Sequence, residues 1–167
     1  MTPEELGTTS TSGGGPFARV TVDVPVERWA EAVRAARDGG YDFFDWLSAV
    51  DEETGFAVVA HVWSVAARHG LLLRVVVPRE AASVPSIVDS YPGAAWHERE
   101  THEMFGIDFP GHPGGLRPLL LAPEFDGYPL RKDFVLAARV VKPWPGAVEP
   151  GESEPRRAPL RPPGVPR

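Results

Sequence analysis

The chain has 167 residues and no cysteine, which excludes disulfides, thiolate-bound zinc, iron–sulfur ligation and a cysteine nucleophile. Any redox reaction in which it takes part is carried by other groups. It also has no excess of basic side chains. Its 17 Lys and Arg stand against 23 Asp and Glu, a net charge of −6, which argues against a nucleic-acid partner gripped through its phosphates. No run approaches the roughly 18 apolar residues of a membrane span, and no basic region precedes an apolar one at the N-terminus. A cytoplasmic chain with no direct membrane insertion is the expectation. There is neither a glycine-rich loop before a Lys-Ser/Thr pair nor a dinucleotide fingerprint after the first strand, so nucleotide binding is not expected. No internal repeat is present.

What the chain does have is 19 prolines and 17 glycines, and they divide it. Residues 1–15 are small and polar, ending Thr11-Ser12-Gly13-Gly14-Gly15, and are expected to be a disordered arm. Residues 16–141 are expected to form one folded domain. Residues 142–167 hold eight prolines and are expected to form an extended Pro-rich tail with Trp144 and Leu160 as isolated anchors. The fold class is α+β, a small antiparallel sheet with packed helices, followed by an irregular motif-bearing segment and that tail.

Within the domain, Phe17 to Val24 alternates as a half-buried strand does, and Pro25 stops it. From Glu27 to Asp38 the spacing of Trp29, Ala32, Val33 and Ala36 predicts a helix, with Glu31 and Arg34 placed to pair and Gly39 as its C-cap. Phe43, Trp46, Leu47 and Val50 fit either a helical stripe or a helix turn passing into a short buried strand. After turn residues Asp51 to Gly55, the runs Phe56–Val65 and Leu71–Val77 read as an antiparallel hairpin. Both runs are apolar on both faces, so both faces of the sheet are expected to be covered, and the Tyr and Trp residues of this region to lie in the core. A short helix is expected within Ser83–Ser90 and a longer one over Ala94–Phe105, with Gly106 as its cap. From Asp108 to Asp133, turns at Phe109-Pro110-Gly111 and Asp126-Gly127 predict irregular structure.

The stretch His97 to Phe134 gathers most of the chain's candidate chemistry. His97, Glu98 and His102 suggest a zinc hydrolase, but the two histidines are five apart, about 140° round a helix, and cannot leave one face. Glu98–His102 and Arg99–Glu103 are each four apart and can form helical ion pairs. A stronger reading has Arg99, between carboxylates, partly buried and bracing the following loop. Glu100 with Glu98 or Glu103 would be a paired-carboxylate acid and base, yet nothing positions a substrate. Arg131 and Lys132, flanked by Leu130, Asp133 and Phe134, have the mixed character of a contact patch. His61, His69 and His112 are assigned no catalytic role.

These residues carry a resemblance. Glu98-Arg99-Glu100, an acid at Glu103, Met104-Phe105, Gly106-Ile107, His112 and an Arg-containing apolar run make one motif. Glu124-Phe125-Asp126-Gly127 before Tyr128-Pro129-Leu130-Arg131-Lys132-Asp133-Phe134 makes a second. Together they resemble the C subunit (30 kDa subunit family) of NADH:quinone oxidoreductase, respiratory complex I. At one point the spacing differs: Leu116 stands where the family places its first basic residue and Arg117 follows, as though Gly114-Gly115 held one residue more. The resemblance implies a non-catalytic subunit without cofactors, in the peripheral arm of a proton-pumping translocase. It would support electron transfer from NADH through iron–sulfur clusters of other subunits to quinone. It also implies a hetero-oligomeric membrane complex, with the large D subunit as principal partner and the B and I subunits nearby, on the cytoplasmic side of the inner (plasma) membrane. The interface residues implied are Glu98, Arg99, Glu100, Glu103, Phe105, Gly106, His112, Arg117, Pro129, Leu130, Arg131, Lys132, Asp133 and Phe134. The alternatives are the equivalent subunit of a related hydrogenase or ferredoxin-linked complex, a free-standing metal-dependent hydrolase, and an adaptor acting through its tail.

Overall fold

Burial alternates along the hairpin strands and so assigns their faces. In β4, Gly55–Ser64, the buried set is Phe56, Val58, Ala60 and Val62; in β5, His69–Val77, it is Leu71, Leu73, Val75 and Val77. Both sets lie on the inner face of a computed structural model that describes residues 2–135. The turn between the strands is closed by Arg68 N–H donating to Ser64 O at 2.8 Å and Ala67 N–H donating to Ser64 Oγ at 3.3 Å. The ambiguous stretch after residue 43 is a strand, β3, Phe43–Glu52, which pairs with β4 along its length. Its β-branched and aromatic residues suit that pairing, and the pairing itself decides against the helical alternative.

The remaining elements complete an α+β fold in which the sheet is mixed, not antiparallel as expected. The strand order is β1-β2-β5-β4-β3, with β1, Thr8–Ser12, antiparallel to β2, Arg19–Asp23, and β2 parallel to β5. Helix α2, Trp29–Asp38, carries the chain from β2 to the far edge of the sheet. The β3–β4–β5 meander then returns to lie beside β2 in the same direction, as a crossover connection permits. Trp29, Ala32, Val33 and Ala36 are buried as the spacing predicts, and Gly39 N–H caps Ala35 O at 2.9 Å. Glu31 approaches Arg28, at 3.8 Å, rather than Arg34.

Three further expectations are corrected. The N-terminal arm is ordered: after a helical turn, α1, Pro3–Leu6, which buries Leu6, it adds β1 to the sheet. Small polar side chains do not prevent this, because β2 supplies backbone partners on the side away from β5 whatever the side chains are, and Thr21 Oγ1 adds a 2.6 Å hydrogen bond to Ser12 Oγ. Residues 83–90 contain no helix. Pro85 disfavours helical backbone at Val84, and the chain runs extended beside the 108–110 segment through Val84 N–H to Asp108 O and Ser86 N–H to Pro110 O, both 2.9 Å. Finally, the helix-bearing inner face carries the core, whereas the outer face leaves Phe43, Val50 and Val76 about half exposed. Trp46 and Trp63 lie on that outer face, Trp46 being 36% exposed, and are not core residues. Tyr41, by contrast, is buried.

The compact unit ends at Phe134. The expected Pro-rich tail of residues 142–167, including Trp144 and Leu160, lies outside the described residues. Trp29 is fully buried in the cluster that joins α2 to the sheet. Trp29→Ala is expected to cost about 3–5 kcal/mol, measured as a lowered denaturant midpoint with the slope unchanged.

Candidate functional site

Helix α3, Ala94–Phe105, is the platform of the site. Ala94, Glu98, Thr101 and Phe105 recur at helical spacing and are buried, which seats this face on the core. His97 Nδ1 lies against the backbone of Leu47 in β3, 3.4 Å from its N and 3.2 Å from its O. His102 Nδ1 instead meets Ile107 O at 3.0 Å. The two histidines of the hydrolase reading therefore serve different backbone groups. Glu98 does not form a surface ion pair with His102. It is wholly buried and its Oε1 accepts from Ile87 N–H at 2.7 Å, pinning the chain where the extended stretch passes into the 88–90 turn. Burial raises the Glu98 carboxyl above the usual range, against the opposing pull of the Ile87 N–H, the Ser86 hydroxyl and His112.

Arg99 and Glu103 reach from the same helix to the irregular segment. Arg99, half-buried, donates from Nε to Arg117 O at 3.0 Å and from Nη2 to Pro118 O at 2.8 Å. It thus braces the loop as expected. Glu103 accepts three consecutive backbone N–H groups, of Leu119 (3.1 Å), Leu120 (2.8 Å) and Leu121 (2.9 Å). Desolvation pushes the Glu103 carboxyl up, but these donors and the nearby Arg99 charge outweigh it and hold the group below its ordinary value.

The second motif closes on the end of the same helix. The last carbonyls of a helix lack intrahelical partners. Here Leu130 N–H donates to Met104 O at 3.2 Å and Arg131 Nε to Phe105 O at 2.6 Å. The Arg131 guanidinium also complements the negative end of the helix dipole, and it lies 4.2 Å from the Tyr128 ring centroid and 5.1 Å from that of Phe56. Gly106, with φ 71°, caps the helix in the left-handed region, and a Cβ there would run into Tyr128 and Arg131. Lys132 N–H donates to Asp51 Oδ2 at 2.7 Å. Asp51, buried on the inner face of β3, also binds the Arg79 guanidinium. Its desolvation is outweighed by the Lys132 N–H and Arg79, which hold its carboxyl low.

The other candidates are placed as follows. Phe105 is buried edge-on to Phe56, with centroids 6.1 Å apart. Phe134 stacks on Phe125 at 5.8 Å over Gly127. His112 Nε2 lies 3.0 Å from Ala95 O. Pro129 is half-buried, and Glu100, Arg117, Leu130, Lys132 and Asp133 are exposed. Glu98, Arg99, Glu103, Arg131 and Asp51 all bind backbone groups. Such an arrangement fixes the path of a chain and does not present a proton donor or nucleophile to a substrate. Asp51 and Arg79 were missed as members of this set. A signal existed for Asp51, since the alternation Leu47, Ala49, Asp51 puts an acid on the core face; none existed for Arg79.

Comparisons with known proteins agree on one kind of relative. The family profile described as the 30 kDa subunit of respiratory-chain NADH dehydrogenase matches residues 22–140. The C subunit of the NADH-quinone oxidoreductase of Roseiflexus castenholzii is 43% identical over 128 residues, 73% of either chain. The C/D subunit of the Methylococcus capsulatus enzyme is 35% identical over 149 residues, 80% of this chain but 25% of that longer one. Among solved structures, a trypsin-resistant fragment of Nqo5 superposes with a TM-score of 0.57 at 27% identity, covering 63% of this chain and 88% of the fragment. A chain of the membrane-bound sulfane sulfur reductase, an archaeal respiratory membrane complex, gives a TM-score of 0.70 at 26% identity, over 81% of this chain and 82% of that one. Among the described residues no helix is long and apolar enough to cross a membrane.

The carboxylate clamps carry opposite pH signatures. Glu103 and Asp51 are depressed, so their contributions are complete above the ordinary values of 4.5 and 3.8 and are lost as pH falls further. Glu98 is raised, so its contribution is complete below 4.5 and declines as pH rises through the folded value. Glu103→Ala is expected to lower the hydrogen-exchange protection factors of Leu119–Leu121 at neutral pH to the values that wild type shows only in acid, where Glu103 is protonated. Glu98→Gln is expected to stay within about 1 kcal/mol of wild type. Glu98→Ala, which orphans the Ile87 N–H and leaves a cavity, is expected to lose about 2–4 kcal/mol in the same chemical denaturation assay.

Proposed function

Because the chain belongs to the 30 kDa subunit family of respiratory-chain NADH dehydrogenase, we propose that it is a structural subunit of the peripheral arm of a proton-pumping NADH:quinone oxidoreductase, without catalytic activity or cofactor of its own. It supports the passage of electrons from NADH to quinone by holding in place the subunits that carry the iron–sulfur clusters. The complex is anchored in the inner (plasma) membrane, and this subunit sits on its cytoplasmic side. Its principal partner is the large D subunit, with the B and I subunits as neighbours. The observation that carries the reading is the clamped segment 98–134. Polar groups hold its backbone from within, while Leu120, Phe125, Tyr128 and Leu130 stand between about 37% and 61% exposed. Apolar residues fixed at an exposed face are what a stable contact between subunits uses. Relatives in which the C and D subunits are one polypeptide support the latter as the neighbour. On this reading Glu98, Arg99, Glu103, Gly106 and Arg131 shape the docking surface, and Leu130 to Phe134 lie at the contact.

The likeness to a chain of the sulfane sulfur reductase complex favours a second reading, the equivalent subunit of a related respiratory membrane complex with a different electron donor or acceptor. The stoichiometric partners recovered with the affinity-tagged chain separate the two, since only the first reading includes an NADH-binding subunit. The docking surface has its own test. Phe125→Glu and Leu130→Glu are expected to reduce co-purification of the D subunit at least tenfold with the melting temperature within a few degrees of wild type. Undiminished recovery with both variants would remove that partner from this surface.

A further inference from the structure

Beside the clamped segment lies a cavity of about 350 Å³ between helix α3 and the turn at residues 112–117. Apart from Arg99 and Arg117, it is lined by Ala95, Trp96, His112, Pro113, Gly114 and Gly115, of which only His112 has a polar side chain. Trp96 is 62% exposed although the same helix buries Ala94, Glu98, Thr101 and Phe105 on its other face. The glycines take φ of 82° and 75°, and no atom lies within 4 Å of where a Cβ would stand on either. Their backbone conformation requires glycine, and the space it leaves is open.

The rim is cationic in a chain of net charge −6. Arg99 stands over Trp96, its guanidinium carbon 5.4 Å from the ring, and donates Nε and Nη2 to the loop. Arg117 is exposed at the same rim. No acidic residue lines the cavity: Glu103 is committed to three backbone N–H groups, and Glu100, next to Arg99 on the helix, is exposed outside the lining. An apolar hollow with a Trp, bordered by two guanidiniums, has the composition of an interface hot spot. Its charge selects a partner group of opposite sign.

We propose that this hollow is the anchoring pocket of the docking surface, and that it receives from the partner polypeptide an apolar side chain lying next to a carboxylate. The apolar group sits on Trp96 and Pro113 against the Gly114-Gly115 wall, and the carboxylate meets Arg117 and the free edge of Arg99. This inference rests on the reading of segment 98–134 as a docking surface for the D subunit, and it adds where that contact is anchored and by what chemistry.

The test uses the full chain co-expressed with the D subunit. Trp96→Ala and Arg117→Glu are each expected to weaken the pair at least tenfold with an unchanged melting temperature, and Arg117→Lys to weaken it less than threefold. Since the chain has no cysteine, Pro113→Cys gives a single site for a benzophenone cross-linker. The expected cross-linked peptide of the partner has an apolar residue within two positions of an Asp or Glu, and changing that acid to Lys should restore binding to Arg117→Glu. Unchanged affinity for both Trp96→Ala and Arg117→Glu, or a cross-linked segment without an acid, overturns the pocket assignment. So does a Trp96- and Arg117-dependent affinity for phosphatidylserine vesicles in place of the protein partner. If those pocket variants bind normally while Phe125→Glu and Leu130→Glu do not, the pocket alone fails. If wild type does not bind the D subunit, the docking reading fails and takes the pocket with it.

Discussion

The C-terminus of helix α3 is the constraint on which the rest of the motif segment depends. A helix end leaves carbonyls without partners, and burying them bare would cost free energy comparable to a lost hydrogen bond each. This helix meets the requirement with chain that lies some 25 residues further on. Leu130 N–H and the Arg131 guanidinium bind Met104 O and Phe105 O, while Gly106 turns the chain away tightly enough for Tyr128 and Arg131 to close over it. Two motifs that are distant in sequence are thereby two halves of one helix cap.

The same logic extends along the loop between them. Chain rich in glycine and proline cannot satisfy its backbone by forming regular ladders, so side chains from fixed elements do it instead. Glu103 serves three N–H groups, Arg99 two carbonyls and Asp51 the Lys132 N–H. Each of these side chains stands on a helix or strand already seated on the core. The outcome is an irregular segment with a defined shape. Its exposed apolar residues are held in position before any partner arrives, which reduces the ordering cost of association.

Much of the framework is legible in residue patterns because it follows from local periodicity. Trp29, Ala32, Val33 and Ala36 announce a helix, Phe56–Val65 and Leu71–Val77 a hairpin, and Gly106 a helix end, since each pattern is set by backbone geometry over a few residues. The readings that failed were those in which distant backbone decided. Thr8–Ser12 is a strand because β2 offers an edge, residues 83–87 are extended because Pro85 and the 108–110 chain make them so, and the sheet is mixed because α2 carries the chain to the far edge. The candidate site divides in the same way. Arg99 as a brace was readable from the charges around it, whereas the burial of Glu98 and the reach of Asp51 to Lys132 were not.

The sequence by itself determined the family, the α+β class, the exclusion of thiolate chemistry by the lack of cysteine, and the concentration of meaning between His97 and Phe134. Those follow from composition, period and motif spacing, which are properties of the chain read in order. Only the tertiary structure decided which partner each charged residue of the motif takes. At four-residue spacing Glu98 and Arg99 looked like surface ion pairs; folded, they bind Ile87, Arg117 and Pro118 through the backbone. The physical reason is that backbone groups brought close by folding compete for the same charges: a buried Ile87 N–H without a partner costs more than an exposed Glu98 ion pair returns, and Arg99 meets two surface carbonyls in place of one carboxylate.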